Sequence, residues 1–148
     1  MFTTIYCDID GVLHPWPSLP DRMFDSACIA RLAAVLVPHN ITIVITSTWR
    51  LEWPIERIRE KMGVLGKYLA GVTPDIDDPF IKFGRYHEVL QHRQQNALTN
   101  SHWIAIDDEP GRYPDGLESL ILTNPRTGFA ADDAVVLARL LARNQRYR

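Results

Sequence analysis

Short apolar runs alternate along the chain with amphipathic segments, a pattern typical of a layered α/β fold with a mainly parallel sheet. The run at residues 41–45 is almost continuously apolar, which predicts a strand buried on both faces. Four runs are predicted as strands, at residues 2–7, 41–45, 103–106 and 119–122. Such a sheet needs helices on its faces.

Four segments have the apolar spacing of amphipathic helices. In the first of them, Ile29, Leu32 and Leu36 fall on one face, and Asp25 or Ser26 can cap its start. The four predicted helices cover residues 25–37, 54–62, 85–95 and 131–143. The proline-dense stretch at 15–20 predicts a loop, and the turn signals within 67–83 predict an irregular segment.

Polar side chains follow three of the predicted strands at the point where each strand ends. The carboxyl ends of parallel strands meet at one edge of an open sheet, where ligands usually bind. Carboxylates gathered there repel one another unless they share protons or a divalent cation, and oxygen ligands without His or Cys favour Mg²⁺. The strand-end residues are Asp8 and Asp10, Thr46 and Ser47, and Asp107 and Asp108.

The order of these clusters resembles the haloacid dehalogenase (HAD) superfamily of phosphotransferases. The run Asp-Ile-Asp-Gly-Val at 8–12 resembles its first motif, the strand ending in Thr46 its second, and the acidic pair at 107–108 its fourth. The basic residue of the third motif is Arg85 or Lys82 by position, and Arg85 is favoured because it opens a predicted helix. The resemblance implies a Rossmann-like three-layer sandwich, a HAD-like core without a globular cap.

The resemblance also implies a Mg²⁺-dependent phosphomonoesterase that acts through an aspartyl-phosphate. Asp8 would attack phosphorus, and Asp10 would protonate the leaving oxygen and then activate water. Mg²⁺ would be held by Asp8, by Asp107 or Asp108, and by the backbone carbonyl of Asp10. The phosphate oxygens would be held by Thr46, the backbone of Ser47, and Arg85 or Lys82.

A narrower resemblance links residues 45–50 and 10–14 to the small HAD domains associated with RNA-repair proteins. The stretches between the motifs are too short for a globular cap, so we expect an open site that admits a bulky substrate, such as a phosphorylated nucleic-acid end. His14 and Trp16, in the loop after the first motif, and Arg50, beside the second, are the candidate substrate contacts.

Length, charge and composition limit the number of domains and the location that can be expected for the protein. A length of 148 residues predicts one domain over 1–148, and a net charge of −2 argues against a uniformly basic nucleic-acid-binding surface. The two cysteines form no disulfide framework, and the sequence predicts neither a signal peptide nor an apolar run near the ~20 residues that span a bilayer. A cytoplasmic protein is therefore expected. An oligomer is possible but not indicated.

Two alternatives stay open from the sequence. One is a small-molecule phosphatase, such as a nucleotidase, with a lid supplied by a neighbouring subunit. The other is a non-catalytic domain that binds Mg²⁺ and a phosphorylated partner. The presence of both Asp8 and Asp10 argues against the second alternative, because binding alone needs no acid/base residue two positions further on.

Overall fold

The computed structural model describes residues 2–146, which form a five-stranded parallel sheet of order β3-β2-β1-β4-β5. The strands are β1 (Thr3–Cys7), β2 (Ile41–Ile45), β3 (Leu69–Val72), β4 (His102–Asp107) and β5 (Leu120–Leu122). The helices are α1 (Ser26–Leu36), α2 (Trp49–Glu52), α3 (Ile55–Lys61), α4 (Gly84–Gln95) and α5 (Ala131–Arg146). Short 3₁₀ helices occur at Pro20–Arg22, Gly63–Tyr68 and Pro110–Arg112.

The central strand β1 is buried along its whole length, because β2 and β4 pair with its two edges and helices cover both of its faces. Successive side chains of a strand point to opposite faces. Ile5 and Cys7 therefore join the core that includes Leu32 of α1, whereas Tyr6 packs with Val89 of α4. The predicted Rossmann-like three-layer arrangement with a parallel sheet is confirmed.

Helix α1 shows how a predicted element forms. Its buried residues include Ile29, Leu32 and Leu36, the apolar stripe that the spacing predicts. Asp25 precedes the helix in extended conformation, and its carboxylate accepts a hydrogen bond from the backbone N–H of Cys28 at 3.0 Å. This bond satisfies one of the free N–H groups of the first turn and fixes where the helix begins.

Strand β3 was not predicted, since it lies entirely within the segment at 67–83 that was expected to be irregular. It is four residues long, contains Gly71, and forms an edge of the sheet. Its pairing with β2 shifts register between Ile43 and Val44. An edge strand this short has too few side chains to show a periodic pattern, and glycine weakens strand propensity further.

The segments that connect the motifs contain no separately folded cap within residues 2–146. The chain from β1 to α1 is a loop with one short 3₁₀ helix, and the chain from β2 to β3 consists of α2, α3 and a second 3₁₀ helix. The carboxyl edge of the sheet is therefore bordered only by loops and short helices. In the described part of the chain, no helix has both the length and the apolar character needed to cross a membrane.

Candidate active site

Three of the strand-end residues lie side by side at the carboxyl edge of the sheet. Asp8 follows β1, and its backbone N–H donates to the carbonyl of Ile106 in β4 at 3.0 Å. Thr46 follows β2, and its N–H donates to the carbonyl of Cys7 at 3.0 Å. Asp107 is the last residue of β4. The ladder hydrogen bonds thus fix the backbone of the site.

An acidic cluster occupies this edge. Asp8, Asp107 and Asp108 each offer a carboxylate oxygen, and the three oxygens lie within 4.8 Å of one another. Arg85 Nη1 donates to Asp107 Oδ2 at 2.7 Å and lies 3.2 Å from Asp8 Oδ1. The side chains of Arg85, Asp8 and Asp107 are all at most 7% exposed. A single guanidinium therefore contacts two buried carboxylates, and the third carboxylate, that of Asp108, is only partly buried.

The electrostatics of the cluster fit a divalent cation. Burial, together with the neighbouring Asp107, raises the pKa of Asp8 to about 8 although Arg85 opposes the shift. Burial also raises the pKa of Asp108. The ionised forms are thus disfavoured until further positive charge arrives, and an all-carboxylate oxygen set is the ligand type that Mg²⁺ prefers. The residues present therefore suit this ion.

Gly11 allows Asp108 to approach the chain closely. Its φ is +76°, and a Cβ atom at this position would lie 2.3 Å from Asp108 Oδ2. Its carbonyl accepts a hydrogen bond from Thr123 Oγ1 at 2.7 Å, which ties the first motif to the chain after β5. Only glycine meets both demands, a left-handed backbone and the absence of a side chain.

We expect Gly11→Ala to weaken Mg²⁺ binding at least ~10-fold, because the new methyl group must displace the Asp108 carboxylate. Gly116→Ala is the matched control: Gly116 has a φ of +75°, but nothing lies within 4 Å of its Cβ position. Both variants pay the ~1–2 kcal/mol cost of a left-handed alanine. Calorimetric Mg²⁺ titration separates the two effects, and equal Mg²⁺ affinity in both variants would refute the role of close approach.

Asp10 stands apart from the acidic cluster and is held by two donors. Its Oδ1 accepts hydrogen bonds from His14 Nε2 at 2.8 Å and from Trp49 Nε1 at 3.1 Å. The Phe24 backbone N–H donates to His14 Nδ1 at 3.0 Å, so the His14 proton is on Nε2. These hydrogen bonds orient the carboxyl group of Asp10, and its side chain stays 28% exposed.

The structure contradicts two of the three substrate contacts that the sequence analysis expected. His14 is fully buried and holds Asp10, so it has no surface to offer a substrate. The Arg50 side chain is only 3% exposed, and its guanidinium makes five hydrogen bonds, as many as it has N–H groups. The acceptors are the carbonyls of Thr46, Ser47, Thr73 and Pro74 and the carboxylate of Glu88. Arg50 therefore braces the loop after β2.

The remaining candidates differ in placement. The Thr46 hydroxyl is buried without a hydrogen-bond partner among the described residues, as is Arg85 Nε. Ser47 is also buried, and its hydroxyl accepts from the backbone N–H of Trp49 at 3.2 Å. Lys82 is exposed and lies over the ring of Phe83, so Arg85 is the basic residue at the carboxylates. Trp16 is 42% exposed and lines a cleft beside Asp10.

Three contributors were missed by the sequence analysis. Trp49 was not among the candidate site residues, yet it donates to Asp10. Thr123 binds the carbonyl of Gly11, and Glu88 pairs with Arg50. The position of Trp49 directly after the second motif is the one local signal available. The other two contacts join residues far apart in sequence, and no spacing rule indicates them.

The site brings together Asp8 and Asp10 after β1, Thr46 after β2, Arg85 at the start of α4, Asp107 at the end of β4 and Asp108 just beyond it. This arrangement on a parallel sheet is typical of a HAD-type fold. Residues 4–134 match the family described as the HAD domain in Swiss Army Knife RNA repair proteins, and the chain belongs to this family. HAD domains are generally phosphatase-type hydrolases, and the family indicates that class of activity here. No curated protein and no solved structure matches the chain.

Proposed function

We propose that the protein is a Mg²⁺-dependent phosphomonoesterase that removes the terminal phosphate from a nucleic-acid end through an aspartyl-phosphate on Asp8. The observation that carries the proposal is the pairing of two differently held carboxyl groups. Asp8 is buried against Arg85 among the acidic residues, and Asp10 is partly exposed and held by His14 and Trp49. Carboxyl groups in such different environments suit different roles, a nucleophile and an acid/base.

In the first half of the reaction, an oxygen of the Asp8 carboxylate attacks phosphorus while the bond from phosphorus to the leaving oxygen breaks. Asp10 gives its proton to that oxygen, so the product leaves as an alcohol. Thr46, the backbone of Ser47 and Arg85 hold the non-bridging oxygens. Asp8, Asp107 or Asp108, and the carbonyl of Asp10 would hold Mg²⁺, which would supply positive charge against the carboxylate and the phosphate.

In the second half, the ionised Asp10 takes a proton from a water molecule that attacks the phosphorus of the aspartyl-phosphate. Inorganic phosphate leaves, Asp8 returns as a carboxylate, and Asp10 is protonated again for the next turnover. His14 and Trp49 bind only one oxygen of Asp10, so they keep the group aimed through both steps. His14 and Trp49 are therefore positioning residues.

Two observations support a nucleic-acid end as the substrate. The family that matches the chain is described by its occurrence in RNA repair proteins. In addition, the described residues contain no folded cap over the carboxyl edge of the sheet, which leaves room for a long chain beyond the reacting phosphate. A small phosphate ester would need water to be excluded in another way, for example by a neighbouring subunit.

A substrate panel tests the proposal. We expect Mg²⁺-dependent phosphate release, abolished by a chelator, with kcat/KM at least ~10-fold higher on 3′- or 5′-phosphorylated oligonucleotides than on mononucleotides or sugar phosphates. Equal kcat/KM across the panel would contradict the nucleic-acid substrate and favour a small-molecule phosphatase. No turnover on any member, combined with measurable Mg²⁺ and phosphate binding, would contradict catalysis and favour a binding domain.

A further inference from the structure

An aromatic cleft of about 240 Å³ opens directly beside Asp10. Its lining includes Asp10, Trp16, Met23, Trp49, Glu52 and Trp53. Typical pockets for drug-sized ligands measure ~300–1,000 Å³, so this cleft has room for one ring system rather than several. Three indole side chains around one small space form a surface suited to flat aromatic groups.

The walls of the cleft are held rigidly. Trp49 donates to Asp10, and its ring meets the ring of Trp53 edge to face with centroids 4.4 Å apart. The guanidinium of Arg57 covers the Trp53 ring at 3.9 Å. These contacts fix two of the three indoles before any ligand arrives, which lowers the entropic cost of binding.

Trp16 is the exposed member of the set. Its backbone N–H donates to the carbonyl of Pro125 at 2.7 Å, which anchors the loop that carries it. The side chain nevertheless stays 42% exposed. A large indole on an anchored backbone, left in water beside an acid/base group, is a feature of binding surfaces rather than of packing.

We propose that this cleft binds the nucleobase of the nucleoside that carries the reacting phosphate, with the base stacked on Trp16. The inference rests on the proposed function. Asp10 protonates the leaving oxygen, so the leaving group must lie on the side of Asp10, and the cleft is on that side. A nucleoside leaving group puts a flat ring there, whereas a sugar phosphate or a peptide phosphorylated on serine or threonine does not.

Glu52 indicates which part of the substrate the cleft can bind. Its carboxylate can accept a hydrogen bond from an exocyclic amino group of a base or from a ribose hydroxyl. The same negative charge repels a second phosphate. The cleft therefore suits the terminal nucleoside itself, and the rest of the nucleic-acid chain leaves in another direction.

The test compares pairs of oligonucleotides phosphorylated at the 3′ end or at the 5′ end, and the two members of each pair are identical except that the phosphorylated terminal nucleoside of one is abasic. For the wild-type protein we expect kcat/KM to be ~10- to 100-fold higher on the end that carries a base, as the strength of base–aromatic stacking implies. In Trp16→Ala this preference should fall at least ~10-fold, and Trp16→Phe should retain part of it. Leu19→Ala, an exposed residue of the same loop, should keep the full preference.

The outcomes separate the two proposals. If the base-bearing and the abasic oligonucleotide are both hydrolysed, and Trp16→Ala leaves the preference for the base unchanged, the stacking site is overturned but the proposed phosphatase activity is not. Equal hydrolysis of the base-bearing and the abasic oligonucleotide by the wild-type protein would also overturn the stacking site. No hydrolysis of any 3′- or 5′-phosphorylated oligonucleotide would overturn the proposed function, and the stacking site with it.

Discussion

Asp8→Asn is expected to lower kcat for Mg²⁺-dependent phosphate release at least ~10³-fold, since an amide cannot replace a carboxylate as the nucleophile. The substitution preserves the size of the side chain at a position that is 5% exposed, so the packing around β1 stays intact. It also removes one of three carboxylates whose oxygens lie within 4.8 Å of one another. Phosphate release from a phosphorylated oligonucleotide, followed with a colorimetric assay, measures the effect.

Two controls make this result specific to the nucleophile. Asp77→Asn makes the same chemical change at an exposed position and should leave kcat unchanged. In the metal-free state, Asp8→Asn should unfold at a temperature no lower than the wild-type protein, because a repelled buried charge is gone. Turnover by Asp8→Asn within tenfold of the wild-type rate would contradict the mechanism.

Arg85→Met is expected to cause the largest loss of stability. The Arg85 guanidinium lies between Asp8 and Asp107, all three being buried, and without it two buried carboxylates lose their nearest positive charge. Removing one partner of a buried ion pair costs about 3–5 kcal/mol. Urea unfolding of the metal-free protein measures the change in the free energy of unfolding, and activity should be lost as well.

Lys82→Met is the matched control for this prediction. Lys82 is a basic residue three positions before Arg85, but it is exposed and contacts the ring of Phe83 rather than a carboxylate. Its replacement should leave both the free energy of unfolding and turnover unchanged. If Lys82→Met lost activity while Arg85→Met kept it, the assignment of Arg85 to the phosphate site would be wrong.

The positions of the site residues along the edge of the sheet could be predicted from the sequence, because local apolar patterns locate the strands that precede them. Apolar runs locate β1, β2 and β4, and the first residues beyond them come together once the strands are parallel. Asp8, Thr46 and Asp107 therefore needed no knowledge of tertiary contacts. The choice between Arg85 and Lys82 did need it, since both lie near the start of the same helix and only one is turned toward the carboxylates.

The side-chain roles of Arg50 and His14 could not be predicted, because they depend on how the chain folds back on itself. Three of the Arg50 acceptors lie 23 to 38 residues away, and one His14 ring nitrogen is bound by a backbone group 10 residues further on. Arg50 looked available for a phosphate until the loop after β3 and Glu88 of α4 supplied its acceptors. His14 was expected to face a substrate from the loop. The backbone N–H of Phe24 instead donates to one of its ring nitrogens, and the other ring nitrogen donates to Asp10. Burial of a polar side chain depends on such contacts, not on its neighbours in the chain.

The most direct test of the mechanism is to detect the phosphoryl group on Asp8. Protein mixed with Mg²⁺ and a terminally phosphorylated oligonucleotide is quenched in acid within one turnover, digested, and analysed by mass spectrometry. Asp10→Asn serves alongside the wild-type protein, because loss of the base should slow hydrolysis of the aspartyl-phosphate. We predict one phosphoryl group on the peptide that contains Asp8, dependent on Mg²⁺ and absent in Asp8→Asn. Phosphate release without a phosphorylated Asp8 peptide at any quench time would contradict the mechanism.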